Sequence, residues 1–242
     1  MNLIIDVGNT LVKIAIFKKD ALLDKEEVKP YDFIKAYKKF KKQHKNFYKG
    51  IISSVGNLDT ETLNYLKQQL DIIELDSKTK LPFINNYKTP KTLGVDRIAL
   101  VSASVYHYPD NNVLIIDAGS CITYDFIDGK NEYHGGAISP GIRMRYNALN
   151  NLTANLPLLE TEIPKSIIGN STESSIHSGV IHGVLNEIDG VIANYRENYS
   201  DLTVILTGGD ANFLSKQLKS SIFANSNFLL EGLNHILQFN SN

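Results

Sequence analysis

The sequence predicts an α/β protein of two domains with mixed sheets, and three observations lead there. Strand-like apolar runs come first and helix-like amphipathic segments follow, and this order occurs twice along 242 residues. An apolar run ending in Asp-x-Gly recurs: Ile4-Ile5-Asp6-Val7-Gly8-Asn9-Thr10 returns as Ile115-Ile116-Asp117-Ala118-Gly119-Ser120-Cys121, 111 residues later. The composition, 43% hydrophobic and 21% charged, is that of an ordinary globular chain, which argues against disorder and fibrous repeats. Repetition at about half the chain length reads as duplication of a domain rather than a solenoid, whose periods are shorter. The expected domains are therefore 1–111 and 112–242.

The elements follow in order. In each copy of the repeat, a buried strand, a tight Gly turn and a second antiparallel strand fit the pattern, the second strands being Leu11–Phe17 and Ile122–Ile127. After the first hairpin, strands are expected over Ala21–Lys29, Gly50–Val55 and Asp71–Asp76, with helices over Tyr31–Lys45 and Asp59–Leu70, then a loop to Thr92. Phe33, Tyr37 and Phe40 recur at helical spacing, and Lys35, Lys38, Lys39, Lys41, Lys42 and Lys45 fill the remaining face. That cluster reads as a solvated helix face rather than a polyanion site. A helix over Val95–Tyr108 carries Ile98, Val101 and Val105 in register, and Pro109 stops it.

The second half offers strands at Asn112–Ala118, Cys121–Ile127 and Glu132–Ile138, and a helix after Pro140-Gly141. A long helix, Thr172–Asn198, holds Ile176, Val180, Val184, Ile188, Val191 and Tyr195 at a 3.6 period. Gly179 and Gly183, one turn apart, would admit another backbone, either within the subunit or across a dimer. Leu202–Leu206 is a strand running into Thr207-Gly208-Gly209-Asp210-Ala211 and a further helix.

Composition also excludes function classes. Cys121 is the only cysteine, so neither an intramolecular disulfide framework nor a Cys-based metal cluster is available. A formal net charge of −1 argues against a nucleic-acid partner held by bulk electrostatics. Met1 to Asp6 reaches a carboxylate after three apolar residues, and no later stretch approaches a membrane-spanning run of about 18 apolar residues. No membrane partner and a cytoplasmic location are expected.

Several constellations could carry chemistry. Asp6-Val7-Gly8-Asn9-Thr10 is a Gly turn whose N–H groups can approach an anion, with Thr10 as a hydroxyl donor and Lys13 as a nearby cation. Asp6 would hold a hydrated Mg²⁺ or orient a transferring phosphoryl group. A plain hairpin turn with a structural Asp fits the same residues, and no P-loop pattern is present. The second copy, Asp117-Ala118-Gly119-Ser120, shifts the balance, because two such turns could grip a polyphosphate from both sides. The Gly-Gly turn at Thr207–Ala211 would admit a flat ring or a phosphate, or be merely structural. Gly135-Gly136-Ala137-Ile138-Ser139-Pro140-Gly141 makes a similar strand-to-helix connection. In Gly94-Val95-Asp96-Arg97, Asp96 could accept a hydroxyl proton while Arg97 binds a carboxylate; helix capping plus a surface charge is the alternative. The six histidines read as structural or surface residues, and no His/Cys/carboxylate group has transition-metal spacing.

Taken in order, these motifs resemble the type III pantothenate kinase family, within the superfamily of acetate and sugar kinases, heat-shock ATPases and actin. The resemblance spans Asp6 to Ala211. It implies two duplicated ribonuclease-H-like domains, each a mixed five-stranded sheet flanked by helices, with an ATP cleft between them. It further implies transfer of the γ-phosphate of ATP to the primary hydroxyl of pantothenate, giving 4'-phosphopantothenate, the first step of coenzyme A biosynthesis. Carried over by motif, Asp6, Val7, Gly8, Asn9, Thr10, Leu11, Val12 and Lys13 form the first phosphate site. Ser120 and Thr123 belong to the second, and Gly208 and Gly209 lie near the adenosine. Gly94, Val95, Asp96 and Arg97 would bind pantothenate, Asp96 as general base and Arg97 near the carboxylate. Tyr87 matches an aromatic substrate contact. Thr172 matches a contact supplied at a homodimer interface. Asp117 matches the ligand of a monovalent cation, potassium or ammonium, while Mg²⁺ would arrive with the nucleotide. Ser120 departs from the family's usual Thr but retains the hydroxyl.

Two other readings use the same residues: a non-enzymatic nucleotide-dependent regulator, and a kinase for another small hydroxy acid or a sugar. A regulator would have no need of Gly94-x-Asp96-Arg97 beside an intact phosphate site. Tyr87 and Arg97 favour a carboxylate-bearing acceptor over a sugar.

Overall fold

Strand β1, Asn2–Val7, is buried at five of its six positions, as an apolar run walled on both faces must be. In the computed structural model, which describes residues 1–54, 56 and 58–241, the chain gathers into two compact units. The first comprises Met1–Pro109, Asn131–Tyr133 and the C-terminal stretch from Asn227; the second comprises Asp110–Lys130 and His134–Ser226.

In the first unit, β2 (Val12–Lys18) and β3 (Ala21–Val28) run antiparallel, while β4 (Lys49–Ser54) and β5 (Asp71–Glu74) run parallel to the sheet's centre, in the order β3-β2-β1-β4-β5. The period of two along β1 divides its side chains between the faces. Leu3, Ile5 and Val7 join one core with Phe33, Tyr37 and Phe40 of α1 (Phe33–Gln43) and Leu66 of α2 (Thr60–Gln69). Asp6 is therefore turned to the opposite face. The predicted lysine-rich helix starts later than expected, because Pro30–Asp32 forms a separate 3-10 turn. The predicted strand Gly50–Val55 ends at Ser54, and Val55 lies outside the described residues.

The stretch read as a loop to Thr92 contains a short strand, β6 (Ile84–Asn85), and a 3-10 turn at Pro90–Thr92. Helix α3 spans Val95–His107. In the second unit, β7 (Val113–Ala118) is flanked by antiparallel β8 (Cys121–Ile127) and parallel β10 (Thr203–Thr207). Strand β9 is Glu132–Pro140 and β11 is Phe223–Ala224, giving the order β9-β8-β7-β10-β11. Strand β6 pairs in parallel with Glu132–Tyr133, the first residues of β9, within the first unit. Each unit thus repeats one strand order about its own Asp-bearing central strand.

Helix α4 is Ile142–Asn151 and α5 is Thr172–Asn198, with Ile176, Val180, Val184 and Ile188 of α5 in the second unit's core. Among the described residues, a methyl group at Gly179 would meet nothing within 4 Å. Packing inside the subunit therefore does not account for that glycine. Helix α6 is only Ala211–Leu214, and α7, Phe228–Phe239, closes the chain. The last helix, which the sequence reading had not marked, lies against α3, where a methyl at Gly232 would fall 1.9 Å from the Ala99 carbonyl oxygen. No helix among the described residues is long and apolar enough to cross a membrane.

Candidate active site

In the first unit, strand register assembles the site around Asp6. Its neighbour on β2 is Lys13 and its neighbour on β4 is Ser53. Registered neighbours share a face, so carboxylate, ammonium and hydroxyl stand side by side. Asp6 is 6% exposed and its Oδ2 lies 3.9 Å from Lys13 Nζ. Burial pushes the Asp6 pKa up to about 6; the Lys13 charge opposes this, the Asp96 charge adds to it, and the Ser53 hydroxyl favours the ionised form. Ser53 Oγ is buried near that carboxylate without a bond of normal geometry among the described residues. Gly8 N donates to Leu11 O at 3.0 Å, closing a turn that leaves Asn9 and Thr10 exposed. Of the predicted phosphate-site residues, Val7 and Val12 are core side chains, so only their backbone could serve an anion.

The motif Gly94–Arg97 sits at the start of α3, with Gly94 as the capping residue. The Asp96 carboxylate turns back over this end, and its Oδ1 accepts from Arg97 N at 2.8 Å. A methyl group at Gly94 would lie 2.4 Å from that oxygen, so the carboxylate's position requires glycine there. Arg97 is 6% exposed. Its guanidinium carbon stands 5.5 Å from the centre of the Tyr87 ring, within cation–π range. Tyr87, half-buried, is reached through Asn85, whose Oδ1 accepts from Tyr87 N at 3.0 Å. The structure thus brings Lys13 and Asp96 each within electrostatic reach of Asp6, and Arg97 together with Tyr87.

In the second unit, register gives Asp117 two threonine neighbours, Thr123 on β8 and Thr207 on β10. Gly119 N donates to Cys121 O at 2.9 Å, and Ser120 is exposed at the turn. This turn is one residue shorter than its counterpart: Val7 pairs with Val12, Ala118 with Ile122. Gly208 adopts φ +94, and a methyl there would fall 2.3 Å from Ala118 O and 2.4 Å from Asp117 Oδ1. The Gly-Gly turn is therefore pressed against the Asp117 strand, with Gly209 exposed beyond it. The Pro140-Gly141 corner braces the same turn, Gly141 N donating to Ser120 O at 3.2 Å. Arg145 holds that corner through Pro140 O at 2.9 Å and pairs with Glu187 of α5. Burial works against the Glu187 charge, yet Arg145, Ser139 and Tyr124 together hold its carboxyl below the usual range.

Thr172 is the first residue of α5, exposed, behind a capping box formed by Ser171 and Ser174. It lines an open groove of about 650 Å³ with Leu149, Leu156, Ile176 and Gly179. The sequence reading missed Ser53, Thr207 as a neighbour of Asp117, and Tyr133, whose ring stacks on Tyr87 at 6.1 Å and 20°. Each is placed by strand pairing, which no local motif announces. The histidines on α5 serve structure: a ring nitrogen of His177 lies 2.8 Å from the Tyr146 hydroxyl, and His182 bonds Ser178 one turn back.

Comparison with known proteins follows the same lines. The profile of a family described as type III pantothenate kinase matches residues 2–194. A protein of that name from Christiangramia forsetii is 52% identical over 99% of both chains. Another from Flavobacterium johnsoniae is 46% identical over 99% of this chain and 98% of the relative. Among solved structures, a Campylobacter jejuni protein described as a Baf family transcriptional activator superposes with a TM-score of 0.62 at 22% identity, covering 98% of each chain. A glucokinase from an Antarctic psychrotroph gives 0.53 at 11% identity and 98% of each. At such identities the structural likeness speaks to the fold alone: duplicated ribonuclease-H-like halves, each a mixed sheet flanked by helices.

Proposed function

The chain belongs to the type III pantothenate kinase family, and on that premise we propose that it is an ATP-dependent kinase that phosphorylates the primary hydroxyl of pantothenate, the first step of coenzyme A biosynthesis. The observation that carries this reading is the meeting of two groups within one unit. Buried Asp6, paired with the partly exposed Lys13 in an arrangement suited to phosphate, lies within electrostatic reach of Asp96, the candidate base. Phosphoryl transfer asks the protein for an in-line hydroxyl, charge neutralisation and a proton acceptor, and little covalent chemistry.

In this reading Asp96 accepts the proton of the acceptor hydroxyl, held at the start of α3 by its bond to Arg97 N. Arg97 takes the acceptor carboxylate by a two-pronged contact, with Tyr87 against its guanidinium. Lys13 and the N–H groups of the Gly8 turn neutralise phosphate oxygens. The Asp6 carboxylate and the neighbouring Ser53 hydroxyl are oxygen donors that would suit a divalent cation arriving with ATP, which would supply charge neutralisation at the phosphates. Within the second unit, Ser120, Gly208 and Gly209 are read as nucleotide contacts.

Asp117 is the proposed ligand of a monovalent cation, potassium or ammonium. The donor set supports this: a carboxylate beside Thr123, whose buried Oγ1 has no hydrogen-bond partner among the described residues. A homodimer with Thr172 contributing at its interface, and a cytoplasmic location, complete the proposal. The halves 1–111 and 112–242 are read as the duplicated domains, supported by the shared strand order.

An acceptor panel tests the assignment. With pantothenate, glucose and small hydroxy acids offered at equal concentration, only pantothenate should gain a phosphoryl group by mass spectrometry. Comparable phosphorylation of a sugar would move the assignment to another kinase class.

A further inference from the structure

The route by which Tyr87 reaches Arg97 is unusual for a loop residue. It lies just after β6, a two-residue strand that exists only because Glu132–Tyr133 pairs with it. Ile84 N donates to Asn131 O at 2.9 Å and Asn86 N to Tyr133 O at 3.0 Å, so backbone bonds bracket the strand. Asn86 Nδ2 adds a bond to Glu132 Oε2 at 2.9 Å. The side chains continue the arrangement. Tyr133, fully buried, has the Phe83 ring edge-on at 5.9 Å and the Tyr87 ring stacked at 6.1 Å. Tyr87 then offers its ring to the Arg97 guanidinium at 5.5 Å.

We propose that Tyr133 is a positioning residue for acceptor recognition: through its stack on Tyr87 it fixes the plane of the Arg97 guanidinium for an acceptor carboxylate. A guanidinium binds a carboxylate well only when both N–H groups lie in the carboxylate's plane. Arg97 is nearly buried with the Tyr87 ring at cation–π distance, so the position of that ring constrains the guanidinium. Tyr87 stands in the irregular stretch between β6 and the 3-10 turn at Pro90–Thr92, so its own backbone does not fix the tilt. The second ring, anchored in β9 and wedged by Phe83, supplies the missing restraint. Tyr133 needs no contact with the acceptor to act in this way. The inference rests on Arg97 as the carboxylate contact.

The test measures selectivity between pantothenate and its alcohol analogue, in which CH₂OH replaces the carboxylate, using the full-length protein. The intact protein should prefer the carboxylate. Tyr133→Leu should raise the KM for pantothenate about tenfold and lower that preference by a similar factor, the size expected when a charge-assisted bond is misaligned. Its kcat and KM for ATP should stay within about twofold, because a positioning role confined to Arg97 bears on acceptor binding alone. Tyr133→Phe, which keeps the ring, should behave as the parent. Should Tyr133→Leu fail to fold, Asn86→Ala loosens the same strand from the surface and should give a smaller loss of the same kind.

An unchanged preference in folded Tyr133→Leu, or in Asn86→Ala where Tyr133→Leu does not fold, would overturn the inference. Equal losses in kcat, KM for ATP and KM for pantothenate would overturn it as well, since that pattern marks general disruption. Arg97→Lys separates this failure from failure of the underlying reading. If Arg97→Lys abolishes the preference and Tyr133→Leu does not, only the positioning role falls. If the parent protein shows no preference, the carboxylate role of Arg97 falls with it.

Discussion

Asp6 carries a conflict that its substitution should expose. Its folded pKa of about 6 stands above the ordinary 3.8, so the folded state binds the proton more tightly than the unfolded one. The associated stability is full below about pH 4 and is lost as pH rises through about 6. At neutral pH the buried charge therefore costs on the order of 2–3 kcal/mol, at ~1.4 kcal/mol per unit. Asp6→Asn should recover much of that while removing activity, a trade common where a site is built against stability. Urea midpoints of the nucleotide-free protein across pH check it: the gain should be present above about pH 6 and vanish near pH 4. A variant no more stable at neutral pH would place the carboxylate in a less buried setting. At Asp96 the expected outcome is kinetic. Asp96→Asn should lower kcat by about 10²–10⁴, the range for a general base, with ATP binding retained by calorimetry; near-normal turnover would remove Asp96 from that role.

Among elements, the start of α3 is the most constrained. A methyl at Gly94 cannot coexist with the Asp96 carboxylate 2.4 Å away, so Gly94→Ala should release that carboxylate from Arg97 N. We expect kcat to fall by roughly ten- to a hundredfold, with far-ultraviolet circular dichroism unchanged; undiminished kcat would show that the carboxylate's placement is not required. The same scale explains what the sequence could reveal. The Asp-x-Gly hairpins were legible because buried alternating strands on either side of a glycine turn leave a strong local pattern. Their different turn lengths were not, since an ungapped comparison sets Lys13 against Tyr124 whereas pairing places Thr123 opposite Asp117. Register depends on turn geometry, and one residue changes the partner. Strand β6 left no trace in two residues, because its partner at Glu132–Tyr133 is remote in sequence. Helix α7 did leave one: Leu229, Leu230, Leu233, Ile236 and Leu237 keep helical spacing, although its packing partner α3 could not be read from them.

For the whole molecule, the formal charge of −1 and the local pairing of Lys13 with Asp6 fit a protein that binds anions at built sites rather than through a basic field. The open surface around Gly179 and the groove beside Thr172 suit a second copy. Light scattering should therefore give a dimer, and an active monomer would remove Thr172 from a shared site. Duplication was legible in the motif echo, and the repeated strand order about Asp6 and Asp117 gives it structural form. Whether the protein is a kinase for pantothenate is decided by ADP release in a coupled assay with and without pantothenate. A pantothenate kinase forms ADP only when pantothenate is present, one for each pantothenate phosphorylated. ADP released equally without it, or none released with it, would rule that activity out.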